Sequence, residues 1–208
     1  MSNRFAGILL GVVLVAMLLS GLDPKNRADW ALENVIVLVA IPMLVWVHTK
    51  AWLSRMSYLM IVGFLLLHEV GAHYTYSEVP YDDWFRHLTG HSLQAALGWE
   101  RNHFDRLIHL LFGLLIVVPV REGLVHTARL SSAWSYALAI SVIVSVSTLY
   151  ELIEWGASVV FGGELGMAYL GTQGDIWDAH KDMALAMVGA LVITALRVSI
   201  TRLRAAGR

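Results

Sequence analysis

"LGTQGDIWDAHKDMAL", residues 170–185, sets Asp175, Asp178, His180, Lys181 and Asp182 directly against an apolar run that continues to residue 198. A run of that kind approaches the roughly 20 residues needed to cross a bilayer core of about 30 Å. A charge at the centre of such a helix costs roughly 2.5 to 3.5 kcal/mol even on the lenient insertion scale. Ionisable groups gathered at the head of a span therefore need a reason, and the rest of the chain supplies one by repeating the pattern.

Six apolar stretches stand near residues 5–22, 32–48, 55–72, 105–120, 132–153 and 179–198. They predict an all-α, polytopic membrane helix bundle of about six transmembrane helices. Composition agrees: 57% of the 208 residues are hydrophobic and 15% charged, against about 25% charged in soluble domains. The clean apolar part of the fourth, "LIHLLFGLLIVVPV", is short and ends with Pro119, which disfavours helix in the residue before it. The first is read as a span rather than a cleaved signal, since no A-x-A-like site follows "AMLLSGLDP". With no low-complexity linker, residues 1–208 are expected to form a single integral membrane domain. The absence of cysteine excludes disulfides and thiolate chemistry. No long basic block points to nucleic acid, so the expected surroundings are the lipid bilayer. Oligomeric state is left open.

Six spans put both termini on one side. That side collects Arg4, Lys50, Arg55, Arg121, Arg129, Arg197, Arg202, Arg204 and Arg208, nine of the fifteen Lys and Arg. By the positive-inside rule both termini are expected to be cytoplasmic. The acids separate more sharply: of sixteen, only Glu122 belongs to the terminal side. Polar chemistry is therefore expected at the other, periplasmic face.

At that face the third span ends with Glu69 and His73, and the fourth begins with Asp105 and His109, each pair at i, i+4 and so on one helical face. The fifth arrives with Glu151 and Glu154, and the sixth leaves with Asp178 and Asp182. Carboxylates outnumber bases here, and such an excess in low dielectric requires protons or a cation. Glu69, His73, Asp105, His109, Glu151 and Asp182 are the expected metal ligands, with Glu154 or Asp178 as general base. Oxygen-rich ligation with a few imidazoles suits a divalent metal (Zn, Mn, Fe or Mg) without choosing among them.

Simpler roles compete. His48, His103 and His126 read as helix-end residues, Arg106 as the partner of a structural ion pair, and Asp175 or Asp178 as a cap on the sixth helix. Asp182, one turn deeper than a cap requires, reads as functional. The string "HEVGAH" is not the zinc-protease H-E-x-x-H, because His68 and His73 are five residues apart and diverge on the helix. Between residues 73 and 104, the segment carrying His87 and His91 is expected to form an interfacial helix over the site, or else to supply further ligands. Residues 156–174, with six glycines, form a lid only by composition.

"GAHYTYSEVPYDDWF", "LGWERNHFDRLIHLLFGLL", "YELIEWG" and "LGTQGDIWDAHKDM" resemble the YjdF-like family of bacterial inner-membrane proteins across nearly the whole chain. That resemblance implies a multi-pass protein of the bacterial inner membrane and carries no reaction with it. A weaker resemblance is to the VanZ-like membrane proteins, with their D-K-x-x-H, E-x-x-Q and late D-x-x-x-N on successive helices. Here these positions hold Asp105, Arg106 and His109, then Glu151 and Glu154, then Asp178 and Asp182; Arg for Lys, Glu for Gln and Asp for Asn make this site more acidic.

The leading functional expectation is a metal-dependent enzyme acting on a lipid or lipid-linked substrate. A cation- or proton-coupled transporter or sensor, and a scaffold whose network only joins helices, stand as alternatives, and catalysis itself is left open.

Overall fold

The structure is a computed structural model that describes residues 2–206. Arg208, counted above among the terminal-side bases, lies outside the described residues. Six helices are long and apolar enough to cross a membrane: α1 (Asn3–Ser20), α2 (Arg27–Thr49), α3 (Arg55–Tyr74), α6 (Phe104–Ala128), α7 (Ser132–Phe161) and α9 (Asp178–Ala206). Short helices α4 (Tyr81–Thr89), α5 (Leu93–Leu97) and α8 (Gly163–Leu170) lie in the connections, with a 3-10 turn at Tyr76–Glu78. The described residues form no strand, as expected where every backbone group must be bonded within its own segment.

Local signals set the helix ends. The Ser2, Asn26 and Ser54 side chains accept from backbone amides of the first turns of α1, α2 and α3, which satisfies donors that have no intrahelical partner. The second span begins at Arg27 rather than 32, so Asp29 and Glu33 are inside the helix and buried. The fourth does not stop at Pro119: α6 runs on to Ala128 with that proline inside it. The reason is that spanning helices tolerate a missing N–H where neighbouring elements cover the freed carbonyl, and Pro119 is buried.

Two apolar clusters hold the bundle. Val13, Val37, Ile61, Val62 and Leu65 join α1, α2 and α3. Val117, Val118, Ala139, Ile143, Ala186 and Ala190 join α6, α7 and α9. In the second, α6 and α9 touch backbone to backbone: a Cβ on Gly113 would stand 2.0 Å from the Ala186 carbonyl oxygen, and one on Gly189 2.2 Å from that of Leu110. Small residues permit this approach where the lipid offers helices no hydrophobic reason to associate.

The ends of α1, α3 and α7 and the starts of α2, α6 and α9 share one face, opposite the termini. There the Lys25 amide donates to the His73 carbonyl at 2.8 Å, tying the α1–α2 loop to α3. α4 leaves Trp84, Phe85 and Leu88 exposed, as the apolar side of an interfacial helix would be. The glycine-rich segment is a helical hairpin: α8 folds back on α7 so closely that a Cβ on Gly166 would meet the Ser158 carbonyl oxygen at 2.8 Å.

Candidate metal centre

The α6–α9 contact sets the register of the site. Gly113 and Ala186 each lie four residues beyond His109 and Asp182, so the touching backbones hold these two side chains at matching depth one turn nearer the helix starts. Asp105, His109 and Asp182 each offer one ligand atom, these atoms all lie within 4.8 Å of one another, and all three residues are buried. Asp182, at 2% exposure, is among the most enclosed side chains of the protein.

α7 closes the third side. Glu151 Oε1 stands 3.4 Å and Asp105 Oδ1 3.7 Å from His109 Nε2. The other ring nitrogen, Nδ1, lies 3.3 Å from the Ser147 hydroxyl, an outer partner of the kind that fixes the ring of a ligating histidine. Glu154, one turn beyond Glu151, adds a further buried carboxyl. Glu151 Oε1 and Asp182 Oδ1 are buried and have no hydrogen-bond partner among the described residues.

Bases and acids are unevenly matched across the site. Asp178 takes Arg101 at 2.6 and 3.1 Å through two nitrogens, and Arg106 at 3.1 Å. Arg106 and Lys181 also pair with Asp175, Lys181 at 2.5 Å. Lys181 Nζ, the Trp177 amide and Arg106 hold the Asp175 carboxyl well below the ordinary range. Burial and the two guanidiniums push His103 down, and its Nδ1, 3.3 Å from Arg106 Nη1, faces a group that only donates. By contrast, no ion pair among the described residues brings a Lys or Arg to Asp105, Glu151, Glu154 or Asp182.

Sequence reasoning grouped more residues than the structure brings together. Glu69 and His73 leave the expected ligand set: Glu69 Oε2 accepts from the Ser20 hydroxyl at 2.5 Å, and His73 Nδ1 stands 2.8 Å from the Ser20 carbonyl. α3 ends beside α1, so these two side chains meet Ser20 rather than α6 and α9. Asp178, expected as cap or base, is instead the anchor of two arginines. The pairing expected for Arg106 is present. His68 and His73 diverge as the rejected zinc motif requires, His68 Nδ1 meeting the Tyr76 hydroxyl at 2.5 Å. His87 and His91 are exposed and outside the cluster.

Further polar groups join this layer of the bundle. Tyr150 donates to Glu33 at 2.7 Å and Thr75 to Asp29 at 2.7 Å, which brings α2 into the polar layer. Tyr76 and Tyr169, raised above the usual tyrosine range first by burial, both lie in the field of Glu33 and Glu154. Asp29 and Glu33 show the same i, i+4 spacing as Asp105 and His109, a signal masked by placing the second span at 32. Arg101 and Ser147 had none, since their roles depend on which helices become neighbours.

A family model described as a predicted membrane protein (DUF2238) matches residues 5–202. The chain belongs to this family. It is also 32% identical over 194 residues to the inner membrane protein YjdF of Escherichia coli (strain K12), covering 92% of this chain and 88% of the relative. No solved structure matches the chain. Family membership, that relative and six apolar helices make this a multi-pass inner-membrane protein. The YjdF-like resemblance met in the sequence is thereby borne out.

Proposed function

We propose that Asp105, His109 and Asp182 bind a divalent cation at the periplasmic membrane face, and that this DUF2238 protein is a metal-dependent enzyme acting on a lipid or lipid-linked substrate. One observation carries the reading: three buried ligand atoms lie within 4.8 Å of one another in a carboxylate cluster that no Lys or Arg pairs with among the described residues. A buried carboxylate without an ion-pair partner must take up a proton or a cation, and three ligand atoms this close together favour the cation. The unpartnered Asp182 Oδ1 and Glu151 Oε1 are the acceptors that a cation would satisfy.

Asp105, His109 and Asp182, two carboxylates and one imidazole, would hold Zn, Mn, Fe or Mg. A bound divalent cation supplies a Lewis acid and a more acidic water. Glu151 stands next to the cluster as a further ligand, and Glu154 behind it as the general base. Asp178 is not assigned a catalytic role, because both its oxygens hold arginines. A centre one turn below the helix starts sits at the depth of the membrane interface, which is the depth of lipid headgroups and supports a lipid substrate.

The test is metal content of protein purified after growth with added Zn, Mn, Fe and Mg, for wild type, Asp105→Asn and Asp182→Asn. Stoichiometric metal in wild type and its loss in both variants is the expected result. No metal in wild type, or full retention in Asp182→Asn, refutes the proposal.

A further inference from the structure

We propose that a groove between α1, α2 and α3, on the half of the bundle nearer the termini, is a binding site for one acyl chain of an anionic phospholipid. The groove is remote in function from the carboxylate cluster and does not depend on the reading given to it.

The groove is a cavity of about 590 Å³, inside the 300 to 1,000 Å³ that small-molecule sites occupy. Leu9, Leu10 and Val13 of α1, Leu44 of α2, and Val62 and Leu65 of α3 wall it. These side chains lie inside membrane spans, so the solvent available to fill the space is hydrocarbon. Gly7 also lines it, and a Cβ built there meets nothing within 4 Å.

A second observation distinguishes this groove from an ordinary lipid-facing furrow. Tyr58 lines it and is 7% exposed, yet its buried hydroxyl has no hydrogen-bond partner among the described residues. Buried hydroxyls are rarely left unpaired, and a lipid ester or phosphate oxygen is an acceptor that can reach such depth. The mouth is polar: His48 Nε2 stands 3.2 Å from Asn3 Oδ1, with Thr49 beside them.

The charge at that end chooses the headgroup. Arg4, Lys50 and Arg55 belong to it; Lys50 lies over the Trp46 ring and Arg55 over the Phe5 ring. The acid at this end, Glu122, accepts from the Ser54 amide and the Ser57 hydroxyl at 2.8 and 2.7 Å. The rim is therefore basic, the arrangement that attracts anionic lipid headgroups.

The experiment uses the full chain in nanodiscs containing phosphatidylglycerol with a diazirine at the end of one acyl chain, with adducts mapped by mass spectrometry. Labelling is expected on Leu10, Val13, Leu44 or Leu65. Gly7→Leu fills the groove without a backbone clash and should lower labelling there roughly tenfold or more, the change that 1.4 kcal/mol of lost contact produces. Gly123→Leu, at another open helical glycine outside the groove, should leave it unchanged, and Tyr58→Phe should weaken it. The phosphatidylcholine analogue, or high salt, should also reduce labelling, because exposed basic groups act through a screened field. Wild-type labelling in Gly7→Leu, or adducts spread equally over the exposed faces of α7 and α9, overturns the site. Equal labelling by the phosphatidylcholine analogue overturns the anionic headgroup.

Discussion

Gly113→Ala adds one methyl group at the point where α6 and α9 touch. Its Cβ would stand 2.0 Å from the Ala186 carbonyl oxygen and 2.7 Å from the Ala190 nitrogen, both backbone atoms that cannot rotate away. Restoring an ordinary contact of 3.4 Å from 2.0 Å separates the helices locally by about 1.4 Å. Overpacking of this kind costs roughly 1 to 3 kcal/mol. The effect reaches the proposed metal centre, because His109 and Asp182 lie one turn from the contact on opposite sides of the opening. Metal–ligand distances tolerate about 0.2 Å, and disturbing even the outer partners of metal ligands costs roughly 10- to 100-fold in affinity. Zn²⁺ or Mn²⁺ titration of the purified variant in detergent should therefore show affinity at least about tenfold below wild type, alongside a lower melting temperature. Gly123→Ala, where nothing stands within 4 Å of the added Cβ, is the control and should bind as wild type. A Gly113→Ala protein with wild-type affinity and melting temperature would refute the argument that this close crossing places the ligands.

The two aspartates of α9 should respond differently to amide substitution. Asp178→Asn removes the carboxylate shared by Arg101 and Arg106 and leaves only Asp175 facing both guanidiniums, a loss of up to roughly 3 kcal/mol seen as a drop in melting temperature; Asp182→Asn should spare the fold and remove the metal. Equal behaviour of the two variants refutes the division of roles. For Asp175, the folded carboxyl is held below its ordinary 3.8 by Lys181, the Trp177 amide and Arg106, so the unfolded chain binds more protons as pH falls. Its stabilisation is then complete above about pH 5 and lost as pH drops through the folded value. Melting temperature should fall in acid for wild type, whereas Lys181→Ala should melt lower at neutral pH and show a smaller acid decline; identical pH profiles would exclude the pairing. A topology reporter fused after Arg208 should report cytoplasm and one inserted near Gly163 periplasm, while the opposite pattern reverses the proposed orientation.

The helices and the polar face were legible in the linear chain because both rest on near-neighbour physics. Apolar length sets a span, since the bilayer gives every backbone group the same demand. Pairs such as Asp105 and His109 share a helix face by spacing alone. Even there, the run of α6 past Pro119 and the start of α2 at Arg27 are not legible in the chain, because a span's ends depend on what packs against them. The tertiary structure alone decided which faces meet. Glu69 lies near the same end of the bundle as Asp105 but meets α1, bonding Ser20; Asp178 lies one turn from Asp182 but meets Arg101 and Arg106. Gly113, Gly189 and Ala186 draw α6 onto α9 so closely that Asp105, His109 and Asp182 converge. A helix's own sequence sets the angle between its side chains, and the partner it touches sets whether those side chains become one site.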